Sequence, residues 1–366
     1  MKLLLLLLSC SGKGEDVPVA PKSLVTYNVG LAVGFVPAAR DRADQAFAAI
    51  AALEDDVVCL QEIWLPEHVS AMQAAALDSF PHQYFPEPSQ DVAESAACLA
   101  EDLDPLIECA DTNCADACED ELVDCIFDSC STPFLLLPYE CMDCAMAMVG
   151  GEVSDVSDTC LSNGVSFAYG GSYGTGLLSK WPIKSTELLT MESTTNRRGV
   201  IHAVIEAPDG DMDVYCTHLT AVFTRIPYPS FEGSWEEEQG AQISEMRDWI
   251  DSSAGTGRVV LMGDMNTGPE GEGIDGEVAA HWDLLSPGYT TPYLDGAPTC
   301  TYCDNNPLNG GDHDGGVVID HIMLRGMGGS FTAERILDQS TTALSCEVEI
   351  PATLSDHYGV RVEISP

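Results

Sequence analysis

Carboxylate, amide and imidazole side chains stand at the ends of several short apolar segments of this chain. Asp, Glu and Asn oxygens are the ligands that a hard divalent cation such as Mg²⁺ prefers. Two histidines beside such a cation can act as a general base and as an acid for the leaving group. The pattern therefore predicts metal-assisted hydrolysis. The candidate residues are Asn28, Glu62, His218, Asp264, Asn266, Asp320, Asp356 and His357.

Each candidate also has a purely structural explanation when it is taken alone. A single Asn after a strand is commonly a turn former, and Gly263-Asp264-Met265-Asn266 is an ordinary turn sequence. Asp-His pairs also occur by chance in an acidic protein. The occurrence of six such motifs in one chain is what favours a functional site over these separate explanations.

In their order along the chain, the six motifs resemble those of the endonuclease/exonuclease/phosphatase superfamily, which has the DNase-I-like fold. The resemblance covers residues 23–86 and 166–366. It implies a four-layered α/β sandwich, in which two facing mixed β-sheets are flanked by helices and the active site lies at one edge of the sheets. The motifs are Tyr27-Asn28, Gln61-Glu62, Thr217-His218, Gly263-Asp264-Met265-Asn266, Ile319-Asp320-His321 and Ser355-Asp356-His357.

Within the superfamily, the chain is most similar to neutral sphingomyelinases. The similar segments are Gln61-Glu62-Ile63-Trp64, residues 174–183 and Thr217-His218-Leu219-Thr220-Ala221. Two features depart from that family: a cysteine-rich stretch has no counterpart that the motifs identify, and no membrane-binding β-hairpin is evident.

The resemblance implies metal ligands. Glu62 would be the main Mg²⁺ ligand, Asn28 would lie close to the metal and the phosphate, and Asp356 could be a second ligand. Mn²⁺, Ca²⁺ and Co²⁺ are alternatives to Mg²⁺.

The resemblance also implies catalytic roles. His357 would be the general base that activates water, and Asp320 would orient its imidazole ring. Asp264 would position the water and Asn266 would hold a phosphoryl oxygen. His218 would stabilise the developing charge or protonate the leaving oxygen. The reaction would be in-line attack of water on a phosphate ester.

Apolar periodicity indicates the elements that carry these residues. Alternating or continuous apolar runs predict strands, and apolar residues at helical spacing predict helices. The predicted strands are residues 24–29, 56–62, 165–169, 176–179, 200–206, 212–217, 258–262, 317–324 and 358–364, and the predicted helices are residues 40–53 and 236–250.

Residues 87–165 predict an insertion within a single domain of residues 23–366. The insertion contains nine of the chain's 15 cysteines and no Lys or Arg. We expect disulfides between short helices to hold a segment that is too polar to form its own core. Zinc binding through Cys141-x-x-Cys144 and Cys300-x-x-Cys303 is the alternative.

Residues 1–22 predict a lipoprotein-type signal and a linker. Leu3 to Leu8 form a short apolar core, and Leu7-Leu8-Ser9-Cys10 resembles a bacterial lipobox, in which Cys10 would be lipidated. A misplaced start codon is the competing explanation. With the cysteine content, the segment predicts export, either to a bacterial cell envelope or into the medium.

The charge of the chain restricts its substrates. With 15 Lys and Arg against 59 Asp and Glu, the net charge is −44, which argues against tight binding to duplex nucleic acid. A zwitterionic phospholipid headgroup tolerates that charge. Residues 221–235 place five aromatic or aliphatic side chains just after His218, which would either contact a membrane or an alkyl chain or pack on the sandwich edge.

The sequence therefore predicts a Mg²⁺-dependent phosphodiesterase that is similar to sphingomyelinases and acts on a phospholipid headgroup. A secreted nuclease is the first alternative. A phosphatase of phosphoinositides or small phosphates and a non-catalytic binding module are the others.

Overall fold

A computed structural model describes residues 22–230, 233–309 and 315–366. Cys10, the rest of the proposed signal segment before Lys22, and Phe231 within residues 221–235 lie outside these residues. In the described ranges, no helix is both long and apolar enough to cross a membrane.

The strands form two large sheets and two antiparallel pairs. Their bounds are β1 Lys22–Asn28, β2 Val57–Gln61, β3 His82–Tyr84, β4 Val92–Ala93, β5 Gly164–Val165, β6 Gly176–Ser179, β7 Ile183–Met191, β8 Arg198–Ala207, β9 Gly210–His218, β10 Val259–Asp264, β11 Asp320–Arg325, β12 Ser330–Ile336, β13 Ser340–Ser345, β14 Val348–Thr353 and β15 Gly359–Ser365. The six-stranded sheet has the order β12-β15-β1-β2-β6-β3, and the five-stranded sheet has the order β11-β10-β9-β8-β7. The two antiparallel pairs are β4 with β5 and β13 with β14.

The helices fall into two groups, one on the sandwich and one in the cysteine-rich segment. Their bounds are α1 Ala39–Ala51, α2 Pro66–Ala76, α3 Ala100–Asn113, α4 Glu119–Ser129, α5 Ser131–Leu135, α6 Tyr139–Ala147, α7 Val153–Cys160, α8 Trp235–Ser253 and α9 Ala279–Leu285.

Both large sheets are mixed, because each contains one parallel pair at its centre. Strands β1 and β2 are parallel, as are β9 and β10, and their other neighbours are antiparallel. Parallel neighbours end at the same edge of a sheet. Each parallel pair therefore brings two strand ends, and the residues that follow them, to one edge.

Alternation along the strands produces the four layers. Val57 and Cys59 of β2 face the second sheet, whereas Val58 and Leu60 face helices α1 and α2, as the two-residue period of a strand requires. Helices α8 and α9 pack on the outer face of the second sheet. A disulfide between Cys59 and Cys216 links the two sheets across the core. The predicted four-layered α/β sandwich is confirmed.

The segment of residues 98–160, called here the cysteine-rich segment, contains α3 to α7. Disulfides join its short helices, as the sequence predicts. The expectation that it lacks a core of its own was wrong: Leu103, Leu106 and Phe134 are buried there among six half-cystines. Helical spacing collects the few apolar side chains on inner faces and leaves the acids outside.

All cysteines in the described residues are paired, so the zinc alternative was wrong for both Cys-x-x-Cys motifs. The disulfides are Cys59–Cys216, Cys98–Cys141, Cys109–Cys130, Cys114–Cys125, Cys118–Cys346, Cys144–Cys160 and Cys300–Cys303. They are consistent with an extracellular, oxidising environment.

Two predicted strands have different bounds. Residues 165–169 are a strand only at Val165, because Tyr169 and the two glycines after it adopt positive φ in a 3₁₀ turn. Residues 317–319 do not enter the sheet: Val317 pairs with Tyr302 instead, and β11 begins at Asp320.

Candidate active site

The strand register brings the candidate residues to one edge of the sandwich. In the first sheet Asn28 lies opposite Gln61, so that Glu62 follows directly beside it. In the second sheet Asp264 lies between His218 and Asp320. Because the two sheets face each other, these strand ends meet around one cavity of about 420 Å³. Of the candidate residues, it is lined by Glu62, His218, Asp264, Asn266, Asp356 and His357, and Asn28 and Asp320 lie directly behind them, in contact with Asp264 and His357.

Glu62 lines the cavity and carries an unpaired carboxylate oxygen. Its backbone has a φ of 59° at the end of β2, which turns the side chain out of the sheet alternation. Its Oε1 accepts a hydrogen bond from Asn28 Nδ2 at 3.3 Å, while its Oε2 is buried and has no hydrogen-bond partner. Burial, followed by the charge of Asp356, raises the pKa of the Glu62 carboxyl.

Asn28 connects the two halves of the site. Its Oδ1 accepts the backbone N–H of Gly30 at 3.0 Å, which fixes the amide. Its Nδ2 then lies 2.9 Å from Asp264 Oδ2 and 3.5 Å from His357 Nε2. In this arrangement Asn28 donates to the carboxylates, and its predicted place beside a metal stays a prediction.

His357 and Asp320 form a buried pair. His357 Nδ1 lies 2.9 Å from Asp320 Oδ2, and Thr301 Oγ1 accepts the backbone N–H of Asp320 at 3.2 Å. Burial alone would lower the pKa of His357. The negative charges of Asp320 and Asp264 outweigh burial and raise that pKa well above its usual value.

His218 and Asp264 are neighbours at the ends of β9 and β10 in the second sheet. His218 Nε2 is 3.5 Å from Asp264 Oδ2 and 4.0 Å from Glu62 Oε1. Burial, with the nearby charge of Arg198, lowers the pKa of His218 well below its usual value. Burial raises the pKa of Asp264 to about 7, and Asp320 adds to that shift.

Asn266 is held in a strained turn after β10. Its φ is 47°, its backbone N–H donates to Asp264 Oδ1 at 2.9 Å, and its Nδ2 donates to Leu219 O at 2.9 Å. Gln239 of α8 donates to its carbonyl oxygen at 2.8 Å. The structure thus brings all eight candidate side chains together. The chain turns within Gly263–Asn266, and the catalytic role of these side chains stays a prediction.

Arg198 is a cavity residue to which the sequence motifs assign no role. It begins β8, is buried, and its guanidinium lies 5.6 Å from the centre of the Trp64 ring. A basic residue at the start of an otherwise apolar strand is the sequence signal that could have identified it. As a buried cation facing Glu62 and Asp264, it offsets part of their negative charge.

The donor set fits a divalent cation. Glu62 Oε2 is a buried carboxylate oxygen without a partner, and such an atom costs free energy unless a cation or a donor satisfies it. Burial and the negative charge of Asp356 raise the pKa of Glu62, and a bound cation would stabilise its ionised form. Oxygen donors suit Mg²⁺ better than softer metals.

The sequence matches the endonuclease/exonuclease/phosphatase family over residues 25–357. The chain belongs to this family. It is an enzyme of the class that hydrolyses phosphoric esters. No curated protein matches the sequence significantly.

Three solved structures have a similar fold. Sphingomyelinase C from Streptomyces griseocarneus is 16% identical with a TM-score of 0.57, covering 95% of this chain and 100% of its own. A mutant of Staphylococcus aureus beta toxin with bound magnesium ions is 13% identical, with a TM-score of 0.58. The match covers 94% of this chain and 100% of the toxin chain. Truncated Caenorhabditis elegans TDP2 is 12% identical, with a TM-score of 0.50. The match covers 96% of this chain and 100% of the TDP2 chain. At these identities the similarity concerns the fold.

Proposed function

We propose that this enzyme is a Mg²⁺-dependent phosphodiesterase that cleaves the headgroup from a sphingomyelin-like phospholipid. One observation carries the chemical part: the unpaired Glu62 Oε2 shares a cavity with the His357–Asp320 pair. A cation ligand and a base for water therefore lie within one site.

Glu62 and Asp356 would hold the cation, with Asn28 fixing the Glu62 carboxylate. When bound, Mg²⁺ would supply positive charge that stabilises the phosphate oxygens as their charge increases. Arg198 would support the same charge from β8. Arg198 is thus a buried positive charge of the protein itself at the position proposed for the phosphate.

His357 would take a proton from the attacking water at Nε2. Its Nδ1 pairs with Asp320 at 2.9 Å, so Nε2 is the nitrogen that would accept the proton, once the positive charge of a bound cation offsets the carboxylates that raise the pKa of His357. Asp320 also stabilises the imidazolium that forms. Asp264, within 3.8 Å of His357 Nε2, would orient the water.

His218 would stabilise the leaving oxygen as a neutral hydrogen-bond donor. A pKa well below the usual value means that the ring is neutral at physiological pH. Of the two roles considered for His218, donation to the developing charge is therefore favoured over full proton transfer. Asn266 would hold a phosphoryl oxygen with its second amide hydrogen.

The lipid part of the proposal is supported by charge and by fold. A net charge of −44 opposes a polyanionic substrate but not a zwitterionic phosphocholine headgroup. The sphingomyelinase C and the magnesium-bound beta toxin have similar folds. Export, lipidation at Cys10 and peripheral membrane contact belong to the same proposal, and the disulfides support an exported protein.

One side-by-side assay tests the proposal. We expect Mg²⁺-dependent release of phosphocholine from sphingomyelin vesicles and little nicking of plasmid DNA at low salt. Efficient nicking without phosphocholine release would replace the lipid substrate with nucleic acid. No hydrolysis of any phosphate ester would favour a non-catalytic binding module.

Glu62→Gln tests the metal site, and Glu67→Gln is its matched control because Glu67 is exposed on α2. Glu62→Gln should weaken Mg²⁺ binding measured by calorimetry and lower kcat/KM by about a hundredfold, since the loss of even an outer-shell partner of a metal ligand costs about 10–100-fold. Unchanged Mg²⁺ affinity in Glu62→Gln would contradict the assignment.

A further inference from the structure

An apolar groove lies between the cysteine-rich segment and the loop of residues 221–230. It has a volume of about 100 Å³. Ile107 of α3 and Ile126 of α4 line one side, and Phe223 and Ile226 of the loop line the other. The segment around it is rich in Asp and Glu, yet no described residue that lines the groove is charged. Such a lining suits a hydrocarbon ligand.

Helix α4 is amphipathic but incompletely covered. None of its residues is fully buried, and its apolar side chains, including Leu122 and Ile126, are only half-buried along the groove. An apolar helix face of this kind requires a partner. On the rim, Arg225 pairs with Asp124 and Asp128 of α4 at 3.6 and 3.0 Å. These ion pairs connect the two walls without filling the space between them.

The groove adjoins the catalytic cavity. Phe35, Asn196 and Phe223 line both. A ligand with its phosphate beside Glu62 can therefore extend past these three side chains into the groove. The arrangement also answers the two alternatives for residues 221–235. Trp235 packs on the protein, with its ring 5.1 Å from that of Phe223, whereas Phe223 and Ile226 face the groove.

Two buried polar atoms without partners occur on the groove lining, one of them where the groove meets the catalytic cavity. They are Thr195 Oγ1 and Asn196 Oδ1. Thr195 also has a φ of 61°, which is strained for a β-branched residue. Its carbonyl oxygen accepts the N–H of Ala168 at 2.7 Å, which holds it there. Unsatisfied buried atoms are costly, and a substrate with hydrogen-bond donors would satisfy them.

We infer that the groove binds one alkyl chain of a lipid phosphodiester, and that Thr195 and Asn196 bind the polar linkage between this chain and the phosphate. This inference rests on the proposed phosphodiesterase function. Asn196 Oδ1 accepts hydrogen bonds, so it selects a linkage with N–H or O–H donors. The sphingoid backbone has both, whereas a diacylglycerol backbone has only ester acceptors.

A series of alkyl phosphocholines, from butyl to octyl and all below their critical micelle concentrations, tests the groove on the intact enzyme. We expect kcat/KM to rise about fourfold per added methylene until the groove is full. Bis(p-nitrophenyl) phosphate, which lacks an alkyl chain, is assayed in parallel. If kcat/KM does not change with chain length while bis(p-nitrophenyl) phosphate is still cleaved in a Mg²⁺-dependent manner, the inference about the groove is wrong and the proposed function stands. Loss of all hydrolysis would overturn both.

Ile107→Trp and Glu108→Trp form a matched pair on α3. Ile107 lines the groove, whereas Glu108 is exposed. Ile107→Trp should flatten the chain-length dependence to less than twofold per methylene, and Glu108→Trp should leave it as in the wild type. Circular dichroism and thermal melting confirm that both variants fold. An unchanged slope in folded Ile107→Trp would overturn the inference.

Asn196→Leu tests the linkage. Sphingomyelin and phosphatidylcholine with matched chains are compared in mixed detergent micelles at equal mole fraction. The wild type should prefer sphingomyelin, and the variant should lose about tenfold of that preference, since one hydrogen bond to a buried acceptor is lost. An undiminished preference in Asn196→Leu would contradict the role of Asn196.

Discussion

Asp320→Asn removes the negative charge that faces His357 and keeps the shape of the side chain. The pair is buried, with exposed side-chain fractions of 6% for His357 and 0% for Asp320. At 2.9 Å and an effective dielectric constant of about 20, a carboxylate and an imidazolium attract each other by roughly 6 kcal/mol. Because the amide of Asn still offers one hydrogen bond, we expect a loss of about 4 kcal/mol, or roughly a thousandfold in kcat/KM.

The pH profile separates this role from a structural one. Asp320 raises the pKa of His357, and His357 must be neutral to accept a proton. Removing Asp320 lowers that pKa, so the acidic limb of log(kcat/KM) against pH should move to lower pH. The assay measures hydrolysis of a soluble phosphodiester at fixed, saturating Mg²⁺, with thermal melting as the control for folding.

A double variant gives the decisive comparison. If Asp320 acts through His357, then Asp320→Asn should cost little once His357→Ala is present, because residues that act as one unit are not additive. The proposal that Asp320 acts through His357 would be refuted by either of two results. One is a double variant whose loss in kcat/KM is the product of the two single losses, and the other is a pH profile of kcat/KM whose acidic limb does not move in Asp320→Asn.

Three further results are expected. Replacing Cys59 and Cys216 with Ala should lower the free energy of unfolding by about 2–5 kcal/mol in urea titrations, because this disulfide closes a loop with a sequence separation of 157. An unchanged urea midpoint would contradict the stabilising role of this disulfide. Burial lowers the pKa of His321 to about 4, so the unfolded state binds its proton first and stability should fall by about 3 kcal/mol as pH decreases from about 6.5 to 4. His321→Gln should reduce the dependence of the free energy of unfolding on pH over this range. An equal pH dependence in the variant and the wild type would contradict the role of His321. Thiol titration of the denatured, unreduced protein should detect no free thiol besides Cys10, and several free thiols would contradict the disulfide set.

The identity of the site residues was predictable from the sequence. Apolar strands must alternate or run continuously to be buried, so a polar residue at a strand end is visible as a break in that pattern. Asn28, Glu62 and Asp264 were identified in this way, and the structure brings them into hydrogen-bond contact at one edge of the sandwich. The family and the four-layered α/β sandwich were implied by the resemblance of six motifs, in their order along the chain, to those of a known superfamily.

Other features depended on contacts between residues far apart in the chain. Arg198 carries no motif, and it is buried at the cavity only because β8 lies beside β9. The partners of the cysteines likewise could not be assigned, since Cys118 pairs with Cys346 across 228 positions. Composition also failed for the cysteine-rich segment, because a small number of apolar side chains on the inner faces of short helices is enough to form a core.

The sequence alone determined which residue types occur at the strand ends, and hence the chemistry available, because local alternation and chain order encode them. Only the tertiary structure decided the distances between them, the unpaired Glu62 oxygen and the groove that adjoins the site. Each of these results from the register of two sheets and the packing of helices against a loop, and packing is a property of surfaces that meet in space and not of neighbours along the chain.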